Sequence, residues 1–97
     1  MPPEADADVV NNELAGRFEL PAGDGLAVLE YRRRASRIVL VHTEVPPAFQ
    51  GRGYGSRLIR AALEHARAER LTVVPSCRFV RAYLQRHAEF ADLLDPA

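Results

Sequence analysis

Apolar and polar residues alternate through the first half of the chain with the period of two that is typical of β-strands. The stretch 10–20 alternates weakly around Phe18 and Leu20, and the stretch 26–33 alternates throughout. Residues 21–25 between them contain a proline, two glycines and an Asp-Gly step, which favour a hairpin turn. The pattern predicts two antiparallel strands, the second with Ala27, Leu29 and Tyr31 on one face and Leu26, Val28 and Glu30 on the other.

A stronger strand pattern follows at residues 37–45. Residues 38–41 are all apolar, which is typical of a central strand that is covered on both sides of its sheet. The residues then alternate, so that His42 and Glu44 share one face. The strand ends at Pro46 and the proline after it, because proline cannot donate a hydrogen bond to a β-ladder. We therefore expect the neighbouring strand to splay away and to leave a cleft with unpaired backbone.

The second half of the chain has the longer period of amphipathic helices. Residues 56–70 predict a helix whose apolar face carries Leu58, Ile59, Ala62, Leu63 and Ala66. Residues 71–75 indicate a short buried strand, parallel to the strong one if the helix is its crossover. Residues 78–87 predict a final helix that packs Phe79, Val80, Tyr83 and Leu84. The predicted fold class is α/β, of α+β type, with a mixed, largely antiparallel sheet of four or five strands and two main helices.

Length and composition restrict the class of protein. The 97 residues suffice for one domain, which we place at residues 10–97 after a disordered tail at 1–9. Thirteen basic and thirteen acidic residues give no net charge, so nucleic acid and membranes are not expected partners. A single cysteine suits a reducing cytoplasm, and no apolar run reaches the roughly 18 residues of a membrane span. No metal site is expected, and His65 is expected on the exposed side of its helix.

A glycine-dense turn at residues 50–56 joins the strong strand to the first helix. Three glycines in five residues suit a place where the backbone takes a positive φ or where another group approaches closely. The free N–H groups of a helix N-terminus bind anions, and Arg52 and Arg57 add positive charge there. A tight turn with two solvated arginines would explain the same residues.

Two common phosphate loops are excluded. The turn lacks the glycine spacing of a dinucleotide fingerprint, and the chain contains no lysine for a P-loop. The turn does fit the pattern Q/R-x-x-G-x-G/A, with Gln50, Gly53 and Gly55. That pattern, together with HTEVPP at 42–47, VPSC at 74–77 and the helix from Tyr83 to His87, resembles the minimal, YjdJ-type domain of the GCN5-related N-acetyltransferases. The resemblance covers about residues 11–94.

The resemblance implies that acetyl-CoA lies in the splayed cleft and donates its acetyl group to an amine. Its pyrophosphate would bind backbone N–H groups of the loop after Gln50, namely Gly51, Arg52, Gly53, Tyr54, Gly55 and Ser56. Its amide arm would pair like an added strand with the backbone near Val45, five residues before Gln50. Both expectations agree with the cleft and the anion site that the residues themselves indicate.

The resemblance also points to catalytic residues. Tyr83 has the spacing of the general-acid tyrosine of larger relatives, whereas Ser76 stands where those relatives often carry asparagine. Cys77 lies where the acetyl thioester should end, and three roles are open: a small buried residue, an acid or base, and a covalent acyl carrier. His42 beside Glu44 could accept the proton of the amine, or it could be a structural histidine at a strand end.

A rival interpretation is a non-catalytic module that binds acetyl-CoA or CoA. The missing asparagine favours it, and so does the short chain, which lacks the extra elements that wall the acceptor pocket in larger relatives. The acceptor, a small molecule or a protein, would then meet an open site or one completed by a second subunit. Monomer and homodimer both remain open at this point.

Overall fold

A five-stranded sheet, with its strands in the order of the chain, forms the framework of the protein. The computed structural model describes residues 6–94. The strands are β1 (Val10–Asn12), β2 (Arg17–Ala22), β3 (Gly25–Arg34), β4 (Arg37–Glu44) and β5 (Thr72–Pro75). Strands β1 to β4 pair antiparallel, and β5 pairs parallel with β4. The predicted fold class, a mixed and largely antiparallel sheet, is confirmed, with the strand number at the upper end of the expected range.

Two α-helices follow the strong strand, as predicted. They are α1 (Tyr54–Ala68) and α2 (Arg78–Arg86), and short 3-10 helices lie at Pro47–Phe49 and Ala88–Leu93. Helix α1 begins two residues earlier than expected, because Gly53 takes the left-handed backbone conformation and serves as the N-cap. Its five predicted apolar residues are all buried. No helix within residues 6–94 is long and apolar enough to cross a membrane.

The core lies on one face of the sheet only. Ile38 and Leu40 of β4 are fully buried among the side chains of the other strands and of α1, whereas Val39 and Val41 on the opposite face are only half-buried. The expectation that β4 is covered on both sides is therefore wrong. Strand β4 is nevertheless hydrogen-bonded along both edges, to β3 and to β5.

A β-bulge at Val41 changes the orientation of the second half of β4. Leu40 pairs with Tyr31 and His42 pairs with Glu30, so Val41 has no partner in β3. Regular alternation would send His42 into the core after Leu40. The extra residue instead leaves His42 exposed, together with Glu44, and buries Thr43.

The predicted splay of the sheet is present at the end of β5. Strand β4 pairs with β3 as far as Glu44, but its pairing with β5 stops where Leu40 meets Pro75. The N–H groups of Ser76 and Cys77 both donate to the carbonyl oxygen of Leu40, at 3.1 and 3.0 Å. The chain then turns into α2, so β5 offers no ladder partner to the end of β4.

Several local expectations need correction. The β2–β3 turn consists of Gly23 and Asp24 alone, because Ala22 already pairs with Gly25. Phe79 is 62% exposed instead of packing in the core. His65 is half-buried, and the centres of its ring and of the Phe18 ring lie 5.6 Å apart.

The N-terminal tail is described in part. Residues 1–5 of the predicted disordered tail lie outside the described residues, and the boundary of the domain stays a prediction. Within the described part, Asp6 and Asp8 bind Arg57 of α1.

Candidate active site

A cleft of about 580 Å³ opens where β4 and β5 separate. Its volume lies in the usual range for small-molecule sites, roughly 300–1,000 Å³. Three walls form it: the end of β4, the glycine loop with the first turns of α1, and one face of α2. The lining residues are Thr43, Glu44, Val45, Phe49, Gln50, Gly51, Gly53, Tyr54, Gly55, Ser56, Ile59, Phe79, Ala82, Tyr83, Arg86 and His87.

The glycine loop leaves open space where side chains would otherwise stand. Gly51 and Gly53 have φ values of +79° and +85°, and a Cβ atom on either would meet nothing within 4 Å. Gly55 differs, because it lies within α1 and a Cβ there would touch Thr43 and Val45 at ordinary distances of 3.8 and 3.9 Å. The first two glycines therefore serve the turn and its open surface, and the third serves the contact between α1 and β4.

The N-terminus of α1 presents unpaired backbone donors to this space. The first helical hydrogen bond runs from the N–H of Arg57 to the carbonyl of Gly53 at 3.0 Å. No side chain caps the helix, and no acidic residue lies in its first turn. The N–H groups of Tyr54, Gly55 and Ser56 therefore precede the helical ladder, at the positive end of the helix dipole. This arrangement binds phosphate groups in other proteins.

The two arginines of the loop do not line the cleft. The guanidinium of Arg57 binds both oxygens of Asp6, at 2.7 and 3.0 Å, and one oxygen of Asp8, at 3.2 Å. The hydrogen bond from Arg57 holds the pKa of Asp6 below its ordinary value. Arg52 lies over the ring of Phe49, 5.3 Å from its centre. Positive charge at this helix end is thus partly neutralised by the tail.

Gln50 connects the loop to the end of β4. Its side-chain amide donates to the carbonyl oxygen of Val45 at 3.1 Å. Phe49 and Tyr54 pack edge to face behind the loop, with their ring centres 5.3 Å apart. The loop is therefore held at both ends, and Val45, Gln50 and Tyr54 all line the cleft as expected from the sequence.

One face of α2 supplies a wall that the sequence analysis found only in part. Phe79, Tyr83 and His87 follow one another at intervals of four residues and all line the cleft. The rings of Tyr83 and His87 stack, with centres 3.9 Å apart. Burial raises the pKa of Tyr83, against a lowering influence of the nearby Arg60 guanidinium. The four-residue spacing of these aromatic residues indicates one shared helix face. It does not distinguish a face that lines a cleft from one that is buried in the core, and for this reason Phe79 is wrongly predicted to be buried.

Cys77 does not line the cleft; it lies directly behind the cleft wall. Its side chain is 6% exposed, and its sulfur lies 3.5 Å from the hydroxyl of Thr43, which does line the cleft. Burial raises the pKa of the Cys77 thiol, but the Thr43 hydroxyl and the backbone N–H groups of Val80 and Phe79 outweigh it, so the pKa lies below its ordinary value. Thr43 is a site residue that the sequence analysis missed.

His42 and Glu44 lie side by side on the outer face of β4. His42 Nε2 and Glu44 Oε1 are 3.3 Å apart, and the two side chains are 53% and 72% exposed. Glu44 lines the mouth of the cleft, whereas His42 does not. No group of three or more metal-binding side chains occurs within residues 6–94.

The splayed sheet and the glycine loop agree with the resemblance to the GCN5-related N-acetyltransferases that the sequence motifs indicate. The family model of the GCN5-related N-acetyl-transferases matches residues 17–93, and the chain belongs to this family. The chain is 37% identical to Protein NATD1 of Mus musculus over 73 residues, which cover 72% of this chain and 66% of that protein. Protein NATD1 of Homo sapiens is also 37% identical, with 72% and 65% covered. The chain thus spans just under two thirds of the length of these relatives.

A solved structure supports the fold independently. The solution structure of a GCN5-like protein from Staphylococcus aureus superposes with a TM-score of 0.66 and 24% sequence identity. The superposition covers 95% of this chain and 93% of the other. At this identity the likeness shows the fold, and the chemistry must be argued from the residues of the present chain.

Proposed function

We propose that the cleft binds acetyl-CoA and that the protein transfers its acetyl group to an amine of a small molecule or a protein. Membership of the acetyltransferase family supports an acyl-transfer reaction. The observation that carries the proposal is the open space at Gly51 and Gly53, next to the unpaired N–H groups of α1. Open space beside backbone donors is what a phosphate group requires, and the edge of β4 that β5 leaves unpaired begins beside it.

The three walls of the cleft suggest how the rest of acetyl-CoA would be bound. The pyrophosphate would accept hydrogen bonds from N–H groups of residues 51–56, as the family resemblance implies. The extended amide arm would lie along the edge of β4 near Val45, where pairing with β5 has ended. It would share or replace the hydrogen bond that the Val45 carbonyl accepts from the Gln50 side chain. Apolar side chains on both remaining walls, Ile59 of α1 and Phe79 of α2, would cover the arm.

We infer that four residues assist the reaction. The cofactor supplies an activated thioester, and backbone N–H at the Val45 edge would stabilise negative charge on its acyl oxygen. Glu44 at the cleft mouth, with His42 beside it, would accept the amine proton through water. Tyr83 in the cleft lining, or Cys77 behind it, would protonate the departing thiolate.

Direct attack by the amine is favoured over a covalent acyl-cysteine. A nucleophilic cysteine needs access to the thioester and a base within reach. The Cys77 sulfur is outside the lining of the cleft, and its hydrogen-bond partner is the Thr43 hydroxyl. Neither requirement is met by the described residues around it.

Thermal melting with added acetyl-CoA tests the binding site. At one hundred times its dissociation constant, a ligand stabilises by about 2.7 kcal/mol, and each kcal/mol raises the Tm of a domain of this size by roughly 4–8 °C. The variant Gly53→Asn keeps a residue type that tolerates positive φ but fills the open space. Its control is Ala35→Asn, at an exposed position with φ +55° outside the cleft lining.

The expected result is a large shift for the wild type and for Ala35→Asn, and a lost or much smaller shift for Gly53→Asn. No shift in the wild type would remove the cofactor site from the glycine loop. Release of CoA in the presence of a panel of amines then tests turnover.

A binding module without turnover is the second candidate function. The exposure of His42, and its position outside the cleft, favour it, because a general base works best in contact with its substrate. Acetyl-CoA binding with no acetylation of primary amines, polyamines or lysine peptides would establish this candidate and exclude the enzyme.

A further inference from the structure

Thr43 separates the buried Cys77 from the cleft. The Thr43 hydroxyl lies 3.5 Å from the Cys77 sulfur, and both side chains are more than nine-tenths buried. Only Thr43 belongs to the lining of the cleft. Thr43 is therefore the residue that contacts both the cleft and Cys77, whose sulfur lies outside the lining.

We propose that Thr43 passes a proton from the Cys77 thiol to the thiolate that leaves during acetyl transfer. This inference rests on the proposed function. It makes Thr43 the residue that meets the leaving group, and it makes Cys77 the proton source behind it.

The proton transfers of this step balance without any further reactant. As the carbon–sulfur bond of the thioester breaks, its electron pair stays on the leaving sulfur. The Thr43 hydroxyl donates its hydrogen to that sulfur and takes the hydrogen of the Cys77 thiol. Cys77 is left as a thiolate and regains a proton from solvent, which has received the proton that the amine lost.

Cys77 and Tyr83 differ in how well they suit this transfer. The ordinary pKa values of about 8.5 for a thiol and about 10 for a phenol already make the thiol the stronger acid. The site widens the gap, because burial raises the pKa of Tyr83 while the hydrogen-bonding groups around Cys77 lower its pKa on balance. Of these two groups, the Cys77 thiol is therefore the stronger acid for protonating the departing thiolate.

The fold fixes the orientation of Thr43. The bulge at Val41 turns Thr43 inward, and the Thr43 methyl carbon lies 3.8 Å from the position that a Cβ atom would take on Gly55. Packing of the methyl group against α1 leaves the hydroxyl on the side of Cys77. Valine at this position would keep the packing against α1, but it would lose the hydroxyl that contacts Cys77.

The coupling of Thr43 to Cys77 is testable without any cofactor. Cys77 is the single cysteine of the chain, so the pH dependence of the NMR chemical shift of its ¹³C-labelled Cβ atom reports the thiol pKa alone, without a reagent having to reach the buried sulfur. Thr43→Val removes the hydroxyl at constant shape, and Thr43→Ser retains it. We expect a higher thiol pKa in Thr43→Val and an unchanged pKa in Thr43→Ser. Equal thiol pKa values in all three proteins would overturn the coupling.

Kinetics with acetyl-CoA and a reactive amine test the transfer itself. Thr43→Val and Cys77→Ala should each lower kcat by about 10²-fold, the lower range for general acids, with little change in KM for acetyl-CoA. The double variant should be no slower than either single variant, because both act in one step. Thr43→Ser should retain most of kcat.

The outcomes separate this inference from the proposed function. Full kcat in Thr43→Val, in an enzyme that binds and turns over acetyl-CoA, overturns the proton transfer alone. Multiplying losses in the double variant overturn it as well, since they place the two residues in different steps. A wild type that does not bind acetyl-CoA overturns the proposed function, and this inference with it.

Discussion

Replacement of Gly53 and Gly55 by alanine should change stability in opposite directions, although the two glycines are two residues apart. Gly53 has a φ of +85°, which costs an L-residue with a Cβ atom about 1–2 kcal/mol. Gly55 lies in the first turn of α1, where a Cβ atom makes only ordinary contacts. Alanine there removes chain entropy from the unfolded state and should stabilise by about 0.5–1 kcal/mol. The two variants should therefore differ by about 2 kcal/mol.

Thermal and urea unfolding without ligand measure this difference. A difference of about 2 kcal/mol corresponds to about 8–16 °C in Tm for a domain of this size. The urea m-value should be the same in both variants, which shows that only stability has changed. Equal stability of the two variants would refute the reasoning, because it would mean that the loop adopts another backbone conformation in solution.

Three further predictions concern the helix end, the tail and the α2 wall. Arg70 has a φ of +57° after α1, so Arg70→Gly should raise stability by about 0.5–1 kcal/mol, whereas Arg70→Ala, which keeps the Cβ atom, should not. Asp6→Asn should lose about 0.5–1 kcal/mol, discounted for the 40% exposure of Arg57. Because the pKa of Asp6 is lowered from 3.8, this difference should be full above about pH 5 and vanish as the pH falls through the folded-state pKa. Phe79→Ala should weaken acetyl-CoA binding, as measured by calorimetry. It should change the free energy of unfolding by less than about 0.5 kcal/mol, because Phe79 is 62% exposed.

The elements with a clear period were predictable from the sequence. All five apolar positions of α1 are buried, and β5 pairs parallel with β4 as its crossover helix requires. The coverage of β4 was not predictable in the same way. An apolar run such as residues 38–41 is compatible with a strand that is buried on both faces and with one that is buried on one face only. The sequence therefore does not show that Val39 and Val41 lie on the less buried face. The bulge was equally invisible, because one extra valine among four apolar residues breaks no pattern.

The candidate site divides in a similar way. The loop residues and Tyr83 lie in a recognisable motif, and all but Arg52 line the cleft. Thr43 escaped notice because its role depends on the bulge, and Phe79 because a helical stripe of aromatic residues usually indicates core. The partners of Arg57 lie about 50 positions away in the tail, and no local pattern connects such residues.

The polar residues at 42 and 44 have a structural task besides any chemical one. A β4 strand without the bulge would turn His42 and Glu44 into the core after Leu40, at a high cost in desolvation. Replacing both by apolar residues, His42→Leu with Glu44→Val, removes that cost and makes the unbulged register competitive. We expect a second set of amide signals for β3 and β4 in NMR spectra of the double variant, and a weaker acetyl-CoA shift in Tm. His42→Leu alone is the control, because Glu44 still opposes the change of register. A double variant with a single, wild-type-like spectrum would show that other contacts hold the bulge. The polar side chains of His42 and Glu44 would then be explained by a role in catalysis or binding and not by the register of β4.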